Sequence, residues 1–152
     1  LLMVDVNEGW RPNDLHAHAE QLNSFDLTLI EQPVPEKEDA VLEQIDLPFC
    51  ADESVHDSKD IEKLKKKYQW LNIKLDKTGG LTEALNLVES GRKANFKLMV
   101  GCMVSSSLAL KPAYYLAQIC DLADLDGALF LLEDRPSALR YKGAQVSHPP
   151  TD

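Results

Sequence analysis

Apolar runs recur along the chain, and three of them stop at an acid. Residues 1–4, 27–30 and 48–51 are apolar and are followed by Asp5, Glu31 and Asp52, while the run at 70–75 carries Lys74 inside it. Amphipathic or charged stretches separate the runs. The pattern predicts strands at 1–6, 27–31, 48–51, 70–75 and 96–102, with a last one at 125–131. It predicts helices at 13–23, 37–45, 58–67 and 81–94, and a largely helical stretch at 105–120. Near-continuous apolar strands are expected where both faces of a sheet are covered. Strand–helix alternation of this kind builds a parallel sheet. In the helix at 58–67, Asp57, Ser58 and Asp60 stand at the start and Lys63, Lys65, Lys66 and Lys67 at the end. That order suits the helix dipole. Gly79 and Gly80 turn the chain into the next helix, and residues 135–152, with Pro136, Pro149 and Pro150, read as an irregular tail.

The four strand-end residues are 26, 21 and 22 positions apart, each about one βα unit. In a parallel barrel every strand delivers its C-terminal end to the same rim, so such a repeat becomes convergence. A Rossmann domain is the competitor, but no strand is followed by G-x-G-x-x-G, and polar residues end nearly every strand. The expected fold is therefore α/β: a partial (β/α)8-type TIM barrel of about six βα units over residues 1–134. A complete barrel takes about 250 residues. The chain opens on Leu1, inside an apolar run. It is expected to be part of a longer protein, with the first barrel strands and any N-terminal capping domain upstream. Free edges on an unclosed barrel invite pairing, so self-association or pairing with the missing N-terminal segment is expected.

Asp5, Glu31 and Asp52 form an oxygen-only set with no His or Cys, which suits Mg²⁺. In Asn72-Ile73-Lys74-Leu75-Asp76, alternation puts Asn72, Lys74 and Asp76 on one face. An ammonium inside a barrel strand needs a partner or a function, because its burial is costly. Beside a cation its pKa is expected to fall, which suits a general base; a structural ion pair is the alternative. Asp76 and Lys77 read as rim or pairing residues. Asp124 and Asp126, at the start of the last expected strand, fall on one side and could hold an ammonium group or cap a loop. Ser105, Ser106 and Ser107 lack a His/Asp relay.

Composition narrows the partners. The 152 residues carry a formal net charge of −9, which argues against nucleic acid or an anionic membrane. Cys50, Cys102 and Cys120 have no zinc-type spacing and read as reduced thiols of a cytoplasmic protein. No apolar run approaches the roughly 20 residues of a membrane span, and no signal peptide is evident.

Four segments carry a resemblance. They are Asp5-Val6-Asn7-Glu8-Gly9-Trp10, Ile30-Glu31-Gln32-Pro33, Ala51-Asp52-Glu53-Ser54 and Ile73-Lys74-Leu75-Asp76-Lys77-Thr78-Gly79-Gly80-Leu81. Together they resemble the barrel of the enolase superfamily, muconate-lactonizing subgroup. Ala123-Asp124-Leu125-Asp126-Gly127 is most similar to the paired-aspartate motif of the subgroup's dipeptide epimerases, and Val100-Gly101-Cys102-Met103 is in keeping. The resemblance implies Mg²⁺ on Asp5, Glu31 and Asp52, and Lys74 as acid/base at the substrate α-carbon. It implies a substrate site including Asp124, Asp126, Cys102 and Met103, where the paired acids hold the α-ammonium of an L-Ala-D/L-Glu-type dipeptide. Proton abstraction would give an enediolate whose charge the cation stabilises. Muconate cycloisomerase, o-succinylbenzoate synthase and N-succinylamino acid racemase activities share the metal site and Lys74, and a noncatalytic barrel remnant is the alternative of another class. Epimerisation needs a base on each face, and in this family the other comes from a K-x-K strand preceding the first metal ligand. No such strand lies in this sequence, so these residues alone are expected to be weak or inactive.

Overall fold

The computed structural model describes residues 1–148. Six parallel strands form one sheet in chain order: β1 (Leu2–Asp5), β2 (Leu27–Glu31), β3 (Phe49–Ala51), β4 (Trp70–Ile73), β5 (Lys97–Val100) and β6 (Leu122–Ala123). The sheet curls into part of a barrel with helices on its outer side. These are α1 (Leu15–Leu22), α2 (Ile61–Leu64), α3 (Leu75–Thr78), α4 (Leu81–Lys93) and α5 (Ser107–Ala117). Among the described residues, no helix is long and apolar enough to cross a membrane.

Strand alternation divides the sheet into two faces. Ile30, Phe49, Ala51, Leu71, Ile73, Leu98 and Val100 point outward into the main core, with Leu15, Leu42, Leu64, Leu87 and Leu116 packed there. Each Leu, Ile, Val or Phe side chain among them contributes roughly 1.5–3 kcal/mol by leaving water. Leu29, Cys50, Trp70 and Met99 point the other way and form a small apolar cluster. α4 shows why this packing is close. Ala84, Leu87, Val88 and Gly91 form its buried stripe, and a Cβ at Gly91 would meet Leu98 and Leu71 at 3.0 and 3.1 Å.

Three local expectations are corrected. The helix expected at 37–45 is a 3-10 helix, Glu36–Gln44, whose buried Asp39 and Leu42 follow a three-residue spacing. The strand expected at 125–131 lies earlier, at Leu122–Ala123, and Gly127–Phe130 is a 3-10 turn. The apolar run misled because Leu129 and Phe130 are exposed (60% and 68%) rather than sheet-covered. The segment read as an irregular tail contains an antiparallel hairpin, β7 (Arg140–Lys142) with β8 (Gln145–Ser147). The remainder of that tail, 149–152, lies outside the described residues.

One buried polar node ties the β2, β3 and β4 units together. Gln32 is fully buried with a left-handed backbone (φ 30°). Its Oε1 accepts from the backbone N–H groups of Asp52 and Ser54 at 2.9 and 3.1 Å. Its Nε2 donates to the Val34 carbonyl and to the Ser54 and Tyr68 hydroxyls. Ser54 and Tyr68 donate onward to Asp39, which Lys67 pairs at 2.6 Å. An isosteric apolar residue would leave buried donors unpaired, so Gln32→Leu is expected to lower unfolding stability by about 3 kcal/mol in urea denaturation. A loss under about 1 kcal/mol would show that water or a rearrangement replaces the amide.

Candidate active site

The face opposite the helices carries the rim. Asp5 and Glu31 are the last residues of β1 and β2 and pair in register. Asp52 follows β3 by one residue and Lys74 follows β4 by one. Alternation sets Glu31, Asp52 and Lys74 on the same side as Leu29, Cys50, Trp70 and Met99, so that apolar cluster is the floor beneath them.

Asp52 is the centre of the charge arrangement. It is 5% exposed, and its carboxylate accepts from Lys74 Nζ at 2.5 Å and from Lys77 Nζ. Lys77 Nζ also donates to the backbone carbonyls of Asp52 and Asn72, at 2.6 and 3.0 Å. Burial works against the Asp52 anion, but the Lys77 charge and the two lysine hydrogen bonds outweigh it and lower its pKa. Burial likewise opposes the Lys74 ammonium, but the hydrogen bond and charge of Asp52, aided by Glu31 and Glu53, raise its pKa. The fall expected beside a cation concerns the metal-loaded site; here the Asp52 partner sets the direction. For Lys77 burial wins and the pKa is lowered.

Glu31 has a different balance. Burial lifts its pKa to about 7, against a hydrogen bond from Asn72 and with the charges of Asp52 and Asp5 adding to the rise. Asn72 Nδ2 donates to Glu31 Oε1 at 2.5 Å, while Asn72 Oδ1 is buried with no hydrogen-bond partner. A Cβ at Gly101 would lie 2.5 Å from that oxygen, so only glycine fits beside it. Asp5 accepts from the backbone and side-chain nitrogens of Asn7 at 3.0 and 2.7 Å. The acids thus turn toward separate partners, and among the described residues no group of three or more His, Cys, Asp or Glu is drawn together as metal ligands. Their chemistry nevertheless fits a hard cation, since the donors are oxygens only.

Asp124 and Asp126 follow β6 instead of opening a strand, and both are exposed. The Asp124 N–H donates to the Val100 carbonyl at 2.8 Å, which prolongs the ladder to the rim. Its pKa is raised by partial desolvation and by Asp126, and it feels both Lys74 and Asp5. Asp5 ends the first strand and Asp124 directly follows the last. In a flat sheet that separation would be about 24 Å at roughly 4.8 Å per strand, so the interaction reports the curl. Cys102 is partly buried with its thiol pKa raised by burial, and Met103 is exposed. A Cβ at Gly127 would lie 2.3 Å from the Met103 carbonyl, so the paired-acid loop sits tightly on the β5 exit. Ser107 donates to Asp134 at 2.5 Å, a structural contact.

Sequence reasoning gave Lys77 only a rim or pairing role and assigned none to Gln32 or to the Asn72 amide. Alternation had placed Asn72 beside Lys74. For Gln32 no local signal existed, because all its partners but the Val34 carbonyl come from two other segments.

The enolase C-terminal domain-like family matches residues 1–134. An N-acetyl-D-glutamate racemase of a Pseudoalteromonas species is 46% identical over 147 residues, covering 95% of this chain and 47% of the relative. The L-Ala-D/L-Glu epimerase of Escherichia coli is 45% identical over 147 residues, covering 95% of this chain and 46% of the relative. An enolase family member from Agrobacterium tumefaciens with homology to dipeptide epimerases, solved with bound sodium and L-Ala-L-Glu, superposes with a TM-score of 0.92 at 44% identity (98% of this chain, 46% of that one). A dipeptide epimerase from Cytophaga hutchinsonii, complexed with Mg and D-Ala-L-Val, superposes with a TM-score of 0.89 at 26% identity (97% and 43%). The chain spans just under half the length of the curated relatives it matches. Since the family match takes in all six parallel strands and the whole rim, the chain belongs to the enolase C-terminal domain-like family.

Proposed function

We propose that the intact protein epimerises a dipeptide of the L-Ala-D/L-Glu type in a Mg²⁺-dependent reaction. One observation carries this reading: the order of side chains across the concave face. Asp5, Glu31 and Asp52 come first, then Lys74, then Asp124 and Asp126. A dipeptide presents a matching order: a carboxylate, an α C–H beside it, and an ammonium at the far end. The relatives that act on or bind dipeptides support the same substrate class.

In this reading Asp5, Glu31 and Asp52 hold the cation. Mg²⁺ held by these carboxylates would supply positive charge against that building on the substrate carboxylate. Lys74 must release Asp52 and give its extra proton to solvent, and only the neutral amine can then accept the α-proton on one face and return it. Asp124, with Asp126, binds the ammonium and so fixes which carbon lies over Lys74, while Cys102 and Met103 line the rim between them. The floor of Leu29, Cys50, Trp70 and Met99 excludes water from below. Inversion requires a second proton donor on the opposite face, and we place it in a part of the protein outside these residues. The outer edges of β1 and β6 pair in this reading with that part or with a second copy.

A second reading is racemisation of an N-acylated amino acid, favoured by the Pseudoalteromonas relative. Such a substrate has no free ammonium for Asp124. Asp124→Asn is expected to lower kcat/KM for L-Ala-L-Glu by about 10–100-fold. An unchanged dipeptide rate, with N-acetylglutamate turned over well, would favour the second reading.

Proton transfer and inversion separate experimentally. In D₂O with Mg²⁺, Lys74→Ala in the intact protein is expected to slow exchange of the epimer whose α-proton faces Lys74 by at least about 100-fold, while the other epimer still exchanges through the opposite face. The 152 residues alone are expected to exchange slowly without inverting, and robust inversion by them would remove the second-face assignment.

The cation reading has a pH signature. Folding raises the Glu31 pKa from 4.5 to about 7, so its contribution to cation-free stability is present below the lower value and lost as pH rises through the upper. Glu31→Gln should therefore be more stable than wild type near pH 8 in EDTA and comparable near pH 4. It should also lose the rise in Tm that Mg²⁺ gives wild type. Equal Mg²⁺ stabilisation of both proteins would place the cation elsewhere.

A further inference from the structure

The β7–β8 hairpin lies beyond the family match, which ends at residue 134. It is nevertheless anchored at two points. The Leu139 N–H donates to Ser107 Oγ at 2.8 Å, tying the hairpin's root to the start of α5. Leu139 packs with Leu110 and Ala128, and Tyr141 and Val146 lie against the same group. The second anchor reaches the rim: the Tyr141 hydroxyl donates to the Leu125 carbonyl at 2.7 Å.

Leu125 stands between Asp124 and Asp126. Its carbonyl belongs to the rigid peptide plane leading into Asp126, so a bond to that oxygen constrains how the second carboxylate leaves the backbone. The loop is held from the β5 side by Asp124 N–H to Val100 and the close approach of Gly127 to Met103, and the Leu125 side chain packs into the main core. On the hairpin side a cavity of about 190 Å³ opens between Leu125, Leu129, Tyr141 and Val146. Leu125 and Tyr141 both line that cavity, and the hydroxyl ties the loop backbone to the hairpin there.

We propose that Tyr141 is a positioning residue whose hydrogen bond to the Leu125 carbonyl sets the spacing and aim of Asp124 and Asp126, which makes the β7–β8 hairpin a determinant of selectivity for substrates with a free α-ammonium. The proposal rests on the ammonium-binding role given above to the paired acids. Phenylalanine at 141 keeps the ring in its apolar setting and removes only the donor.

The test compares wild type and Tyr141→Phe in the intact protein, with L-Ala-L-Glu and its N-acetyl derivative. Binding is measured by calorimetry and turnover by KM and kcat, with Tm recorded for both proteins. We expect Kd and KM for L-Ala-L-Glu to rise about three- to tenfold in Tyr141→Phe, with kcat within twofold. The N-acetyl compound should bind both proteins alike, a contrast that general loosening of the fold does not produce. Equal losses for both compounds, or no change for either, would overturn the proposal while leaving the dipeptide reading in place. Wild type that fails to bind L-Ala-L-Glu would remove the dipeptide reading and this proposal together.

Discussion

Asp52 is a buried carboxylate that holds two ammonium groups, and the rest of the rim is arranged around that balance. A lone buried anion is costly, and so is a lone buried ammonium. Here each compensates the other, with Lys77 also satisfying two backbone carbonyls. The outcome is a lysine, Lys74, that is held on the concave face yet bonded through a single contact to Asp52. Lys77 is held by three. Of the two lysines, Lys77 is therefore the more firmly held.

That balance depends on backbone placement. The Gln32 amide accepts from the N–H groups on either side of Glu53, so the turn carrying Asp52 is held from β2. Glu31, the residue before Gln32, faces the other way, onto Asn72. Neighbouring residues at one strand end thus serve different layers: Glu31 contributes to the concave face and Gln32 to the network behind it. Gly101 permits the Asn72 amide to lie where it does, because any side chain there would displace it. Positive charge and hydrogen bonds are provided for Asp52 but only one amide for Glu31, and this is why the two carboxyls shift in opposite directions.

The paired-acid loop follows a looser design. Asp124 and Asp126 are exposed, and their backbone is secured by β5 on one side and by the hairpin on the other. Loops that carry binding residues gain precision from the rigid elements flanking them. The paired-acid loop shares the main core with the other units through Leu125, and on its hairpin side it borders a cavity.

The sequence by itself determined the alternation of strands and helices, the parallel order and the strand-end placement of Asp5, Glu31, Asp52 and Lys74. These follow from periodicity and from the rule that parallel strands end on one rim, both local in the chain. It misjudged the last strand, because an apolar run does not reveal whether neighbours exist to cover it. It read the 37–45 segment as an ordinary helix, although Asp39 is drawn toward Ser54, Tyr68 and Lys67 from other units. Only the tertiary structure decided that Lys77 shares Asp52 with Lys74, that Gln32 is a hub, and that Tyr141 reaches the paired-acid loop. Each of these is a contact between segments far apart in sequence, and a contact of that kind exists only once folding has brought the partners together. The direction of the Lys74 shift belongs with them: residue type sets the starting pKa, but burial and neighbouring charges set the final one.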